Sequence, residues 1–191
     1  MVIAISHAVK EWLVTEQGLP ADKVVVVHYG IEARRFVGDS KPPQRTDSGP
    51  VIGTLGRLEP GKGHETLIRA MPLVRRLYPY ARLLIGGHDP WGYGSSLSQL
   101  IRRLELTDSV QLLGFVEDVP RFLHGIDLFA FASRSEGFGQ VLIEAMAAGK
   151  PVVASRIPPI TEIVLDGDTG LLVPPDEPEA FPRAILYLLN N

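Results

Sequence analysis

The chain has 191 residues, 45% hydrophobic and 21% charged, with a formal net charge of −3. That is an ordinary globular balance for one domain or slightly more, with no sequence-wide attraction for nucleic acid or acidic lipid. The absence of cysteine excludes disulfides, thiolate nucleophiles and Cys-based zinc sites, and no apolar run approaches the ~18 residues of a membrane span.

The opening MVIAISHAVK has a short apolar patch without a basic leader and is not expected to be a signal peptide. Val2 to Ile5 reads as a short buried strand. A helix pattern follows from about His7 to Gln17, stopped by Gly18 and Pro20. Val24 to Val27 reads as a second strand leading to Tyr29-Gly30, and the polar, Pro/Gly-rich residues 38 to 50 read as a linker or exposed loop. A regular alternation then begins. Strand Val51 to Leu55 leads through GRLEPGKG to a helix from about His64 to Arg76. Strand Arg82 to Ile85 leads through GGHDPWGYG to a helix from about Ser96 to Leu104. Strand Val110 to Leu113 precedes a short helix near Val119 to His124. A buried strand, Ile126 to Ala132, turns through SRSEGFG into a helix entered near Phe138. Strand Pro151 to Ser155, a short helix near Ile160 to Leu165, strand Gly170 to Val173 and a helix from about Pro178 to Leu189 complete the pattern. Repeated strand–helix units with charge-poor, β-branched strands predict an α/β fold: a Rossmann-like, doubly wound parallel sheet with helices on both faces. Ligands of such sheets sit at the carboxyl ends of the strands, which singles out loops 56–63, 86–94 and 133–139.

The stretch from Ser133 to Ala154 carries two glutamates, Glu136 and Glu144, on either side of Gly137-Phe138-Gly139 and a helix start. Glycines let the backbone approach a ligand, and free N–H groups of a first helical turn form an anion site. Carboxylates facing an anion would repel it, so these two are expected to accept from neutral hydroxyls, Glu144 on the same side of the helix as Gln140. Hydroxyl-bearing groups on either side of phosphate describe a nucleotide-sugar. The plainer reading is that acidic residues near a helix start favour its dipole, and that Ala147, Ala148 and Gly149 mark tight packing and a helix stop. Val141, Leu142, Ala145 and Met146 form the inward stripe.

The loop from Gly56 to Gly63 nearly matches a P-loop, but Gly63 stands where a nucleoside triphosphatase needs its Mg²⁺-binding hydroxyl. What remains is a pair of cations, Arg57 and Lys62, able to hold phosphate through a guanidinium fork and a point charge; the plainer reading is two solvated surface cations. His7, His28, His64, His88 and His124 show no metal-ligand spacing and read as structural or surface groups, a phosphate contact by His64 being the less favoured alternative. Asp89 and Trp91 lie in a loop that could approach a ligand, although most such loops only connect. Trp12, Phe129 and Phe131 read as core.

Five landmarks in order, VHYGIEARRF, IGTLGRLEPGKGHETLIRA, LLGFVEDVP, SRSEGFGQVLIEAMAAGKPVVAS and EIVLDGDTGLLVPP, resemble the C-terminal half of a retaining GT-B glycosyltransferase of family four, which includes sucrose synthases and bacterial mannosyl- and glucosyltransferases. The resemblance spans Val2 to Leu189. It implies a hexosyltransferase that moves a sugar from a nucleoside-diphosphate sugar to an acceptor with retention. Arg57 and Lys62, with Gly56 beside them, would bind the donor diphosphate and stabilise charge on the leaving nucleoside diphosphate. Glu136 would contact the transferred sugar, and the backbone of Gly137, Phe138 and Gly139 would meet sugar and phosphate, with Gln140 and Val141 adjoining. Glu144 would accept from the ribose hydroxyls, and Phe115 and Val116 would meet the nucleobase. The catalytic roles fall to Arg57, Lys62 and Glu136. No metal or other cofactor is implied, because the two cations take the place of Mg²⁺, in keeping with Gly63. The chain departs from the family at Pro158-Pro159, where Gly-Gly is common ahead of Glu162, and at Tyr29, where Asn is frequent beside Gly30.

The resemblance further implies a second Rossmann-like domain. Residues 1–30 match the tail of that N-terminal domain and the interdomain hinge, and residues 31–191 match the nucleotide-sugar-binding domain. A carbohydrate or lipid-linked acceptor would sit on the other domain, so the isolated chain is expected to bind donor weakly and to transfer no sugar. Cytoplasmic residence is expected, with peripheral membrane contact only through the other half, and no nucleic-acid partner. Two competing readings remain: a non-catalytic nucleotide-binding module of the same fold, and a dinucleotide oxidoreductase. The latter is disfavoured because no G-x-G-x-x-G follows the first strand of the sheet.

Overall fold

The computed structural model describes residues 1–38, 49–175 and 177–191. Two strands, β1 (Val2–Ala4) and β2 (Val24–Val26), pair in parallel as a small sheet of their own, connected by α1 (His7–Thr15). The main sheet contains β3 (Val51–Leu55), β4 (Arg82–Gly86), β5 (Val110–Gly114), β6 (Leu128–Phe131), β7 (Val152–Ser155) and β8 (Leu171–Val173), all parallel, in the spatial order β5-β4-β3-β6-β7-β8. The intervening helices are α2 (His64–Leu77), α3 (Gly94–Arg103), α4 (Val119–His124), α5 (Gln140–Ala147), α6 (Pro158–Thr161) and α7 (Ala180–Asn190).

Every residue of β3, β6 and β7 is buried, as a parallel sheet covered on both faces requires. On one face, Ile68 and Met71 of α2, Leu97 of α3 and Phe181 and Ile185 of α7 form the core; on the other, Phe129 and Phe131 pack with Leu142 and Ala145 of α5 and Ile160 of α6. This is the doubly wound arrangement that the strand–helix alternation predicts. The chain runs outward from β3 to β5, then returns to lay β6 against the opposite side of β3. The crevice at that reversal lies between the loops that follow β3 and β6, which is where ligands of such sheets bind.

Several local expectations are corrected. Of β1 only Ala4 is buried; Val2 and Ile3 are exposed, because this strand belongs to the small sheet rather than the main one. Helix α1 buries none of its residues, and Trp12, expected in the core, is 53% exposed. Helix α5 starts at Gln140 instead of Phe138, since Gly139 has φ +97°, a left-handed conformation that an α-helix cannot continue through. Helix α6 starts at Pro158, whose fixed φ suits a first helical position. Residues 39–48 of the expected linker lie outside the described residues. Among the described residues no helix is long and apolar enough to cross a membrane.

The loops after β3 and β6 are joined backbone to backbone. Arg134 donates its N–H to the Gly61 carbonyl at 2.8 Å, and the Ser133 hydroxyl donates to the same oxygen at 3.2 Å. Gly63 has φ +67°, and a Cβ there would stand 1.9 Å from the Ala132 carbonyl oxygen. A P-loop hydroxyl is therefore impossible at this position without separating the two loops. Gly63→Ala and Gly63→Ser should each lose about 1–3 kcal/mol from the backbone conformation alone, and more from the collision. Urea unfolding that shows either variant as stable as the parent would contradict this packing.

Candidate functional site

The loop after β3 is held in place from beneath. Gly56 donates to the Gly86 carbonyl at 3.0 Å and Leu58 to the His88 carbonyl at 2.8 Å, tying the loop to the one after β4. The approach is close: a Cβ on Gly87 would lie 1.8 Å from the Gly56 carbonyl oxygen. His64, only 1% exposed, donates from Nε2 to the Arg57 carbonyl at 3.0 Å, while its buried Nδ1 has no hydrogen-bond partner among the described residues. Burial pushes the imidazole pKa down, against the opposing pull of that carbonyl. His64 is thus a neutral strut under Arg57.

Above this scaffold lies a cleft of about 380 Å³, within the range of small-ligand sites. The β3 loop brings Gly56, Arg57 and Lys62 to it; the chain after β5 brings Phe115 and Val116; the β6 loop brings Glu136 and Gly139; and α5 brings Gln140, Val141 and Glu144. Gly137 and Phe138 are not in the lining. The Gly137 carbonyl accepts from the Ser6 hydroxyl at 2.8 Å. The Phe138 ring is buried, stacked on His28 at 5.6 Å between centroids and met edge-on by Tyr29 at 5.8 Å. Of the Gly-Phe-Gly segment, only Gly139 reaches the cleft.

The cations are neither free nor equally exposed. Lys62 Nζ lies 2.7 Å from Glu136 Oε1, with the two side chains 13% and 11% exposed, so the surface-cation reading fails for Lys62. Its amine is also 3.9 Å from Glu59, which pairs with Arg57 at 3.3 Å. The Arg57 guanidinium lies 5.5 Å from the centre of the Trp91 ring, a cation–π geometry. On α5, Gln140 donates to Glu144 Oε1 at 3.0 Å, as the shared helix side predicts. Burial raises the Glu144 pKa against the contrary effects of Gln140 and Arg35. The site thus carries matched positive and negative groups, with acceptors ready for neutral donors.

Sequence reasoning missed His88, which lines the cleft after β4; its place directly behind Gly-Gly at a strand's carboxyl end was the available signal. Asp89 has a connecting role, accepting the Gly94 N–H at 3.0 Å where α3 begins. The histidines, without metal-ligand spacing along the chain, are not all solitary in space: His7 and His28 meet Glu162 outside this cleft.

A family model described as glycosyl transferases group 1 matches residues 49–191. The D-inositol 3-phosphate glycosyltransferase of Mycobacterium marinum is 30% identical over 202 residues, covering 100% of this chain and 42% of that protein. The phosphatidyl-myo-inositol mannosyltransferase of Mycobacterium tuberculosis is 33% identical over 197 residues, covering 99% of this chain and 50% of that protein. Anabaena Alr3699/HepE, solved in complex with UDP and glucose, superposes with a TM-score of 0.91 at 30% identity, covering 100% of this chain and 54% of its own. The chain spans about half the length of these relatives.

The strut under Arg57 has a pH signature. Unfolded His64 takes up a proton near its ordinary value of 6.5, while the folded imidazole stays neutral to lower pH. The unfolded state then binds more protons, so stability falls as pH drops below about 6.5. His64→Gln keeps an amide donor for the Arg57 carbonyl but cannot titrate. Urea melts should show the parent losing more stability than this variant between neutral and mildly acidic pH; an identical loss in both would remove His64 as the cause.

Proposed function

The chain belongs to the group 1 glycosyl transferases and has the sheet of a GT-B glycosyltransferase domain; on that premise we propose that it supplies the donor-binding half of a retaining hexosyltransferase. The donor is a nucleoside-diphosphate sugar, bound in the cleft between the β3 and β6 loops. The nucleobase meets Phe115 and Val116, and the ribose hydroxyls donate to Glu144. The diphosphate lies against the start of α5, where first-turn N–H groups and the dipole favour an anion, with Arg57 and Lys62 on its other side. Glu136 accepts from hydroxyls of the transferred sugar.

One observation carries this reading: Lys62 and Glu136, from loops on opposite sides of the crevice, touch at 2.7 Å in the same cleft that Arg57 and Glu144 line. The UDP and glucose held by the Anabaena relative support the ligand class. The diphosphate competes with Glu136 for Lys62. As Lys62 turns to phosphate, Glu136 is released to accept from the sugar, so donor binding exchanges one partner for another. When the bond from the anomeric carbon to the diphosphate oxygen breaks, negative charge grows on that oxygen. Arg57, the Lys62 amine now turned to phosphate and the α5 N-terminus stabilise it, in the place that a metal ion would otherwise take. The acceptor hydroxyl then adds to the anomeric carbon on the face that the diphosphate leaves, as retention requires, and passes its proton to the departing diphosphate oxygen. That acceptor, carbohydrate or lipid-linked as for the phosphatidyl-myo-inositol mannosyltransferase, engages a second domain.

Calorimetry with UDP and UDP-glucose tests the donor site. Arg57→Ala and Lys62→Ala should each weaken binding by about 1.5–3 kcal/mol, the worth of hydrogen bonds to charged groups, or roughly ten- to a hundred-fold. The Lys62 substitution should cost more, because it leaves Glu136 nearly buried and unpaired beside the phosphates. Glu144→Ala should weaken UDP and UDP-glucose alike. Glu136→Ala should weaken only UDP-glucose, since loss of its carboxylate frees Lys62 for phosphate. Unchanged affinity in all four variants would refute the site.

The 191-residue chain itself should bind UDP yet transfer no glucose to any acceptor, and the two-domain parent should do both. Transfer by the isolated chain would overturn the assignment of the acceptor site to a second domain. A parent that binds donor without turnover would favour a non-catalytic module.

A further inference from the structure

Three side chains that the cleft does not use meet where the small β1–β2 sheet joins the main domain. His7 opens α1, His28 follows β2, and Glu162 directly follows α6. His28 Nε2 lies 3.3 Å from Glu162 Oε2, and one ligand atom from each of the three lies within 4.8 Å of the others. The fold aims this carboxylate: Oε2 accepts the His7 N–H at 2.8 Å and Oε1 accepts the Ala8 N–H at 2.9 Å. Each carboxylate oxygen has a further lone pair. Burial opposes ionisation of Glu162, but these backbone donors and His28 outweigh it and hold the carboxyl below the usual carboxylate range.

Two imidazoles and a carboxylate are a donor set that divalent metals use. In a tetrahedral site with nitrogen and oxygen ligands at about 2.0–2.2 Å, ligand atoms stand about 3.3–3.6 Å apart. The His28–Glu162 separation already has that value, and the remaining gaps need at most about 1.5 Å of closure. His7 is exposed, and its ring already meets that of His28 edge-on at 5.7 Å between centroids. Two imidazoles and one carboxylate suit zinc and its divalent transition-metal neighbours and leave a fourth position for water.

We propose that His7, His28 and Glu162 form a divalent transition-metal site that staples the β1–α1–β2 unit to the main domain. The staple acts at the edge of the donor cleft, because the same His28 ring stacks on Phe138, next to the Gly139 turn that starts α5. It lies outside the cleft and takes no part in sugar transfer. Two of its ligands come from the small unit and one from the main domain. Metal occupancy therefore adds a tie to the hydrogen bonds through Glu162 and Ser6 that already join the two.

The test uses the 191-residue chain freed of metal by chelator, then titrated with Zn²⁺ by calorimetry and with Co²⁺ by visible absorption. The expected result is one Zn²⁺ bound per chain, ligand-field bands with Co²⁺ typical of low coordination, and a rise in melting temperature. His7→Ala and His28→Gln should each weaken Zn²⁺ binding at least about ten-fold, the lower bound for losing even an outer-shell partner, and His124→Ala should leave it unchanged. Circular dichroism of the metal-free variants checks that they are folded. If His28→Gln disturbs packing on Phe138, His7→Ala decides, because it leaves the other two ligands in place. No Zn²⁺ binding, or equal affinity in parent and His7→Ala, would overturn the proposal and leave a hydrogen-bonded His–Glu pair.

Discussion

The contact between Lys62 and Glu136 is the one on which the rest of the site depends. It spans the point where the sheet reverses its strand order, so it can form only if the β3 and β6 loops approach to backbone distance. The chain meets that condition with glycine: Gly63 sits where any side chain would enter the Ala132 carbonyl, and Gly87 sits where any side chain would enter the Gly56 carbonyl. Those absent side chains, together with the Arg134–Gly61 and Leu58–His88 backbone bonds, bring a lysine and a glutamate separated by 74 positions to 2.7 Å. The ion pair is consequently a property of the packing and has little freedom to be lost to solvent.

Its second consequence is electrostatic. A cleft lined by bare cations would hold any anion. Here Arg57 faces Glu59, Lys62 faces Glu136, and Glu144 is held by Gln140, so an incoming ligand must replace existing partners. A phosphate alone gains the cations but leaves a carboxylate uncompensated. A ligand offering phosphate to Lys62 and hydroxyls to Glu136 satisfies both at once. The cost of leaving a poorly solvated polar group unpaired is the physical basis of the proposed preference for a molecule that joins sugar and diphosphate over either part.

The small β1–β2 unit bears on the same turn from behind. The Ser6 hydroxyl both caps α1, accepting from Val9 at 3.0 Å, and donates to the Gly137 carbonyl. His28 and Tyr29 pack on Phe138, and Glu162 accepts from the first N–H groups of α1. Gly137 and Phe138, which point away from the cleft, therefore link this unit to Gly139 and α5. These contacts connect the unit to the helix start that faces the cleft without its lining the cleft itself.

The strand–helix alternation was legible from residue types, because strands buried on both faces must be apolar throughout and helices between them must show a 3.6-residue stripe. The place of Arg57, Lys62 and Glu136 in loops that end strands, and of Glu144 on the helix that follows one of them, was enough to bring them to one end of the sheet. Local rules could not reach the rest. Helix α5 begins at Gln140 because of the backbone torsion at Gly139, and Trp12 is exposed because α1 stands off the main sheet. Likewise, Lys62 is buried against an acid, and Phe138 is a packing residue, because of which loops come together. His7, His28 and Glu162 form a group only after the chain has folded back on itself; no spacing along the sequence encodes it. The sequence by itself determined the layers and the end of the sheet where the cleft lies. The tertiary structure alone decided which charges are paired and which side chains face the cleft, because both depend on distances between segments remote along the chain.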